Sequence, residues 1–420
     1  IWDSFSGEEL VRITEGAPVL ASWSPDERSI LAINVEDLIV KVWESETWSA
    51  SITLKKENFE GALDINKRSW QPWSPSGDCF LIFTAVGQII IWDTRTDEAL
   101  HTLSGHQGGI NQAYWSPDGE LILSAGWDDG KVIIWNARDG EVIYSLPGDF
   151  EDVHVAAGNW SPSGDRFATR GRGGAKVYDT STGQQVLTIS TPQVFCFRVI
   201  WSPDGTRLLT TGVEDGTARI WDTNSVQELH TMTGLVQGRG SDWSPAENLA
   251  AIGGHDGLVH LWDVVSGQEV NKFSGTLEAP YHIAFSPNGE RLLTLGASHT
   301  VNIYDLSEAH INIPMKTYGG ISIPAWSPGG VHLAFSTGFS ANYTLKIWDA
   351  ARGKELIDLS DQIGAPGSFA WSPSGDRFLS TDEEHNTVHI WDAATWELLF
   401  TFTAREDIVD RWFIGDWSPD

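Results

Sequence analysis

The sequence predicts an all-β repeat protein built from four-stranded antiparallel blades, and three observations carry that prediction. An aromatic-Ser-Pro triplet begins at Trp23, Trp73, Trp115, Trp160, Trp201, Trp243, Phe285, Trp326, Trp371 and Trp417, at spacings of 41 to 50 residues, the period of a four-stranded blade. A second marker, an apolar residue followed by Trp or Tyr and then an acid or its amide, recurs in step at Trp2, Trp43, Trp92, Trp135, Tyr178, Trp221, Trp262, Tyr304, Trp348 and Trp391. Finally, 22 tryptophans stand against 7 tyrosines and 2 methionines, a usage that only a repeating placement explains.

Each unit reads as strands separated by turn chemistry. Val199-Ile200-Trp201 is an inner strand, and Ser202-Pro203-Asp204-Gly205 turns it back: Pro pre-sets φ, Asp tolerates the next position and Gly takes the left-handed corner. The second strand follows at Thr206-Arg207-Leu208-Leu209-Thr210-Thr211, then the turn Glu214-Asp215-Gly216, the third strand Thr217 to Trp221, and an outer strand Glu228 to Met232.

Trp221-Asp222 and its equivalents resemble the dipeptide of the WD-repeat family, and the resemblance extends along essentially the whole chain. It implies a WD40 β-propeller, with blades ringed about a central channel. The family's Gly-His pair falls in register only at Gly105-His106, so its buried hydrogen-bond set carries over to one blade, as His106, Ser124, Asp129 (or its neighbour Asp128) and Trp135. Elsewhere the Trp-Ser-Pro tryptophan is expected to replace that polar set with apolar packing. The variant is similar to the long arrays of bacterial NTPase-linked receptors.

Nine complete blades are expected, at about 17–54, 68–103, 110–146, 155–190, 196–232, 238–273, 280–315, 321–359 and 366–402, with two leftover strands within 1–13 and 412–420. The leftovers supply only half of a tenth blade. Two readings follow: a segment of a longer array forming more than one ring, which the broken ends favour, or a single unusually large or open ring.

Composition narrows the function classes. A net charge of −30 argues against nucleic acid, which needs Lys and Arg to displace phosphate counterions, and against an anionic membrane surface. No run of 18 apolar residues is present. Cys79 and Cys196 make neither a disulfide framework nor a zinc site, which leans toward the cytoplasm. Part of the acidity belongs to the repeat, through Asp26, Asp118 and Asp204 in turns and the eight aspartates Asp3, Asp93, Asp179, Asp222, Asp263, Asp305, Asp349 and Asp392 that follow the strand-end aromatic.

Binding residues are sought where loops depart from the repeat, because a rigid scaffold presents contacts on its loops and aromatic and Arg side chains anchor interfaces. The candidates are Phe59 and Arg68 in the long crossing 55–70, Trp127 in a turn that usually holds a small residue, Phe339 and Tyr343 in the lengthened turn 336–344, and Arg405, Arg411 and Phe413 in the crossing 403–416. Trp48 and Trp396, where the family has Gly, read as hairpin packing; Trp70 and Trp412 are open between packing and display.

The reading is a protein-binding scaffold with a protein partner and no cofactor, metal or catalytic residue. It is expected to be the sensor portion of a larger bacterial signalling or defence protein whose flanking domains lie elsewhere in the polypeptide. One alternative is an assembly scaffold that self-associates. Another is a propeller hydrolase, which the absence of Gly-x-Ser-x-Gly and His-Glu-x-x-His disfavours.

Overall fold

The computed structural model describes residues 19–34, 39–55, 72–146, 156–212, 216–233, 240–246, 248–254, 256–274, 280–296, 300–306, 312–316, 320–321, 324–338, 344–360, 366–382 and 387–403, with positions 1, 3, 6, 8, 10, 235, 362–364, 384–385 and 417–418. Every described element is a strand, and the strands form a nine-bladed propeller.

Blade one shows the plan: β1 (Val19–Trp23), β2 (Ser29–Asn34), β3 (Ile39–Glu44) and β4 (Ala50–Leu54) pair in that order, each antiparallel to the next. Blades three, six, seven and nine repeat it, at residues 110–146, 241–274, 280–316 and 366–403. Inner strands of successive blades adjoin, as Ile110–Trp115 does Ala156–Trp160 and Ser241–Trp243 does Pro280–Phe285.

Four blades depart from the expected four separate strands. In blade two the inner strand is reduced, among described residues, to a single bridge between Trp73 and Phe80. Blades four and five share a six-stranded sheet, because one strand, Gln185–Trp201, serves as the outer strand of blade four and runs on as the inner strand of blade five. Its partner Arg166–Asp179 likewise runs through the position of the expected turn, with a register break between Arg172 and Gly174. In blade eight the inner strand is split into Gly320–Ile321 and Ala325–Trp326, both paired with His332–Gly338. Pro324 precedes the second piece and has no N–H to give the ladder.

The hydrophobic core lies between blades, not within one. Eight apolar clusters each join two successive blades; the seam between blades two and three, for example, brings Leu81, Phe83, Ile89 and Ile91 against Ile110, Ile122, Ile133 and Trp135. A strand buried on both faces reads as a continuous apolar run, and Cys79–Phe83 is such a strand, buried at all five positions.

The Trp-Ser-Pro tryptophans cross these seams with a repeated hydrogen bond. The indole Nε1–H of Trp73 donates to the carbonyl of Ser22 at 3.2 Å, Trp115 to Pro72 at 3.1 Å, Trp160 to Tyr114 at 3.5 Å, Trp243 to Ile200 at 3.1 Å and Trp371 to Ala325 at 3.2 Å. Each acceptor is the residue immediately before the aromatic of the preceding blade. Trp417 makes the same contact to Ala370, at 3.1 Å, and packs against blade nine. Phe285 has no indole, and there its backbone N–H donates instead, across the seam to the side chain of Asp242, the residue before Trp243, at 2.9 Å. Trp326 follows Phe285 in the series, and its Nε1 is buried without an acceptor.

The turns stack along the same seams. Gly205 has φ of +71°, which disfavours any side chain, and a Cβ there would stand 3.3 Å from Pro162 of the preceding turn. The same meeting of Gly on the preceding Pro recurs at Gly119 on Pro75, Gly164 on Pro117 and Gly375 on Pro328.

Replacing Asp242 by Ala removes the acceptor of a seam-lying N–H. Urea unfolding is expected to show a loss of about 1–3 kcal/mol, with a smaller loss for Asp242→Asn, which keeps an acceptor oxygen; an unchanged Asp242→Ala midpoint would contradict the compensation.

Candidate binding rim on blades two and three

The strand-end tryptophans find a partner only where the second strand supplies a hydroxyl two residues beyond the position opposite the ring. Trp135 lies opposite Ile122 and donates to Ser124 Oγ at 2.7 Å; Trp221 lies opposite Leu208 and donates to Thr210 Oγ1 at 3.0 Å; Trp391 lies opposite Phe378 and donates to Ser380 Oγ at 2.9 Å. The equivalent residues for Trp43, Trp92, Trp262 and Trp348 are Ala32, Ile82, Ile252 and Phe335, and those four indole nitrogens are buried without an acceptor. Phe335 instead stacks on Trp348, centroids 6.1 Å apart.

Blade three adds a histidine to this arrangement. His106 Nε2 lies 2.8 Å from Ser124 Oγ and its Nδ1 lies 3.1 Å from Asp129 Oδ2. The Asp129 carboxylate can only accept, which assigns the imidazole N–H to Nδ1, and the bare Nε2 then accepts the Ser124 hydroxyl proton while Ser124 Oγ accepts the Trp135 indole N–H. Burial holds the His106 pKa below its ordinary value despite the nearby Asp129 carboxylate, so the ring is neutral, as this direction of bonding requires. Asp129 is held low: burial works against the ionised form, but the N–H groups of Lys131 and Gln107 and the His106 ring outweigh it.

The same bonds fix the loop before the inner strand against the turn between the second and third strands. Asp129 accepts the N–H of Gln107 at 2.9 Å, Asp128 Oδ2 accepts the N–H of Gly109 at 2.8 Å, and Trp127 donates its N–H to the Gly109 carbonyl at 2.7 Å. The Trp127 side chain is nevertheless 42% exposed. The neighbouring turn of blade two reaches the same loop: a Cβ on Gly87, at φ of +83°, would stand 2.1 Å from the Gly108 carbonyl oxygen, and beside it Val86 is 53% exposed. Val86, Gln107, Gly108, Gly109, Trp127 and Asp128 thus form one locked surface.

Of the residues singled out from sequence, the structure brings His106, Ser124, Asp129 and Trp135 together and places Trp127 at the end of their network. Phe59, Arg68, Phe339, Tyr343, Arg405, Arg411 and Phe413 lie outside the described residues, as do Trp70 and Trp412. Trp396 adopts φ of +61° and packs edge-on against Trp371 and Phe378, at 5.8 and 6.1 Å; Trp48, at φ of +50°, packs on Trp23 at 6.3 Å. Both therefore serve their hairpins from a left-handed position that Gly usually fills. Sequence reasoning missed Val86 and Gln107; the signal was an aliphatic residue in the short turn Ala85-Val86-Gly87, where no packing partner is required.

The motif carboxylates are engaged in turns. Asp222 Oδ1 accepts the N–H groups of Asn224 and Ser225, Asp263 those of Val265 and Ser266, and Asp392 those of Ala394 and Thr395. In the aromatic-Ser-Pro turns, Asp204 accepts from Ser202 Oγ at 2.6 Å, and where the sequence changes to Ser-Pro-Ser-Gly-Asp the acid two positions later takes over, Asp165 accepting from Ser161 Oγ at 2.8 Å. Burial pushes the Cys79 thiol up to about 12, with Asp78 and Asp93 adding to the shift, so it is a poor thiolate nucleophile. Among the described residues no group of three or more His, Cys, Asp or Glu is placed to hold a metal ion, and no helix is long and apolar enough to cross a membrane.

Comparison with known proteins agrees with this geometry. The family of the WD domain, G-beta repeat, matches residues 97–136, 183–222, 227–263 and 267–305, the first of which contains His106, Ser124, Asp129 and Trp135. The chain is 25% identical over 228 residues to Cell division cycle 20.1, cofactor of APC complex, of Arabidopsis thaliana, covering 51% of this chain and 49% of that protein. It is 26% identical over 140 residues to a p21-activated protein kinase-interacting protein 1-like of Danio rerio, covering 33% and 36%. The chain thus spans about half or less of the length of the relatives it matches. The solved C-terminal WD40 domain of Sif2 shares the fold, with a TM-score of 0.51 at 18% identity, covering 80% of this chain and 98% of that one.

Two pH responses are expected. Hydrogen bonds from Ser202 to Asp204, from the Ser225 N–H to Asp222 and from the Ser266 N–H to Asp263 hold these carboxyls below their ordinary 3.8. Their stabilisation is complete above about pH 4 and is lost as pH falls through the folded-state values; a urea midpoint unchanged between pH 5 and pH 2.5 would contradict this. His106 has the opposite proton balance. Its folded value lies below 6.5, so an unfolded chain takes up the proton first and stability falls as pH drops below about 6.5. In His106→Gln that step should shrink to the part left by His332 and His389, whose values burial also lowers, and His106→Ala should cost about 1–3 kcal/mol at pH 7.5, both read by urea unfolding.

Proposed function

We infer that this chain, a WD40-repeat β-propeller, works by holding a protein partner on the rim formed by blades two and three. The observation that carries the reading is the exposed Trp127 on a turn that three hydrogen bonds and the His106 network hold rigid. An aromatic side chain on a fixed backbone gives large contact area at small ordering cost, which is why such residues dominate interface energetics. The neighbouring relatives support the same class of work, one being named for its role as a cofactor of a complex and another for interacting with a kinase. No reaction is assigned to the chain, since the Cys79 thiol is buried and His106, His260 and His389 bond within their blades.

At finer grain, the rim is read as the ligand-sensing surface of a larger cytoplasmic signalling or defence protein, with flanking domains supplying the output. The support is the length and regularity of the array, which adds blades without adding chemistry.

The reading is tested by placing a photo-crosslinking benzoylphenylalanine at position 127 or, as a control, at 356 on the outer strand of blade eight, in the native host. A discrete adduct with one protein at 127 and none at 356 is expected. Adducts equal at both positions, or absent at 127, would sink it.

A further inference from the structure

On six blades the outer strand pairs with the third through a one-residue bulge, and the bulge residue, Leu100, Ile143, Leu229, Val270, Leu356 or Leu399, is an exposed aliphatic. Blades two and three carry three exposed aliphatics on one wall: Leu100, Val142 and Ile143, at 42%, 45% and 43% exposure. His101 joins the two blades there, donating from Nε2 to the Arg138 carbonyl at 2.8 Å, with its ring where a Cβ on Gly140 would come within 2.7 Å. Leu100 directly precedes His101 and Val142 follows Gly140 by two residues, so the wall runs unbroken from one blade to the next.

The charges beside this wall are local and of one sign. Asp97, Glu98, Asp139 and Glu141 are exposed in its two hairpins and make no ion pair among the described residues. Arg138 is the opposing charge on the blade three turn; Arg95 is held by Asp93 at 3.1 Å and Asp78 at 3.4 Å. Asp118 and Glu120 add to the negative sign at the same end of blade three, Arg166 of blade four stands beside Asp165, and Lys131 lies at the far end of the third strand, Val132–Asn136. Elsewhere the aliphatics stand among balanced charge. Glu228 lies 3.9 Å from Arg219 and Glu269 lies 3.1 Å from Lys272 on blades five and six, and on blade eight Lys346 lies 2.9 Å from Glu355 and 3.0 Å from Asp358.

We propose that the outer wall of blades two and three docks an amphipathic basic helix of a partner protein, its apolar face on Leu100, Val142 and Ile143 and its cations toward Glu98 and Glu141. The proposal rests on the protein-binding reading and adds a second contact face and its chemistry. A second copy of this chain would bring a net charge of −30 against −30, whereas a cationic segment is drawn to unpaired carboxylates. An added strand is disfavoured because the ladder breaks between Ile91 and Trp92 and between Ile134 and Trp135, and a bulged edge resists further pairing. A helix needs no ladder: its apolar stripe covers the aliphatics while its flanking cations reach the acids.

The test uses the whole chain and three fluorescein-labelled fourteen-residue probes, read by anisotropy at two salt concentrations. One is (Leu-Lys-Lys-Leu-Leu-Lys-Leu) repeated twice, with a helical apolar stripe; the second has Glu for Lys; the third is Leu-Lys repeated seven times, with the period of a strand. The helical Lys peptide is expected to bind tightest. Ile143→Ser and Leu100→Ser should each weaken it at least about five-fold, while Val270→Ser, at the same bulge position among balanced charge, should change it less than two-fold. Glu141→Gln should weaken it about two- to three-fold with a smaller salt dependence, and Arg138→Gln should tighten it. Tighter binding of the strand-period or Glu peptide, no binding of the helical Lys peptide, or equal losses from Ile143→Ser and Val270→Ser would overturn the proposal. A partner crosslinked at position 127 would still stand in each of those cases, so the protein-binding reading fails separately. Since Leu100 and Ile143 are exposed, their variants should keep the wild-type unfolding midpoint, which is measured alongside.

Discussion

The indole hydrogen bond that Trp73, Trp115, Trp160, Trp243, Trp371 and Trp417 each give to the preceding blade is the constraint on which the rest of the molecule depends. A wedge between two twisted sheets can be filled by many apolar shapes, and apolar burial alone does not set how far one blade slides against the next. A donor that must meet one particular carbonyl does. Trp73 on Ser22, Trp115 on Pro72, Trp243 on Ile200 and Trp371 on Ala325 fix the same offset at their four seams. At that offset Gly119, Gly164, Gly205 and Gly375 arrive over the prolines of the turns before them. The first-to-second turns are therefore a belt of touching turns at one end of the blades, while the Trp127 turn, at the other end of its second strand, is held by its own bonds.

Where the repeat loses a group, a neighbour supplies it or the site goes without. Phe285 cannot donate from its ring, and the Asp242 carboxylate bridges the seam from the other side. Trp326, next in line, keeps its indole but has no acceptor. The strand-end tryptophans show the same economy: Ser124, Thr210 and Ser380 satisfy theirs, while Ala32, Ile82, Ile252 and Phe335 leave theirs in apolar surroundings. An unsatisfied buried N–H costs about 1–3 kcal/mol, which the ring's own burial outweighs. Blade three, with His106 closing the network, carries the exposed Trp127 on its second-to-third turn.

Much of the fold was legible because its markers are local. Aromatic-Ser-Pro and the strand-end Trp-Asp each encode a turn within a few residues, so blade number, strand order and the grouping of His106, Ser124, Asp129 and Trp135 could be read from spacing and resemblance. Three features were not. The continuous strand Gln185–Trp201 depends on pairing with both Lys176 and Leu209 regions at once, a tertiary condition with no sequence marker. The division of the tryptophans into satisfied and orphaned donors turns on one residue opposite in register, visible only once strands are paired. Val86 gained meaning only through the approach of Gly87 to Gly108.

In a chain whose blades touch only their neighbours, disturbance should spread no further than the seam where it is made. Amide hydrogen exchange of Trp243→Phe, which removes one indole donor and little volume, measures this directly. Faster exchange confined to the strands on either side of that seam, Gln185–Trp201 with its partner Arg207–Gly212 and Ser241–Trp243 with Leu249–Gly253, is the expected result. Exchange unchanged at those strands, or raised equally in blades one and nine, would show that the indole-to-carbonyl bond does not set the seam.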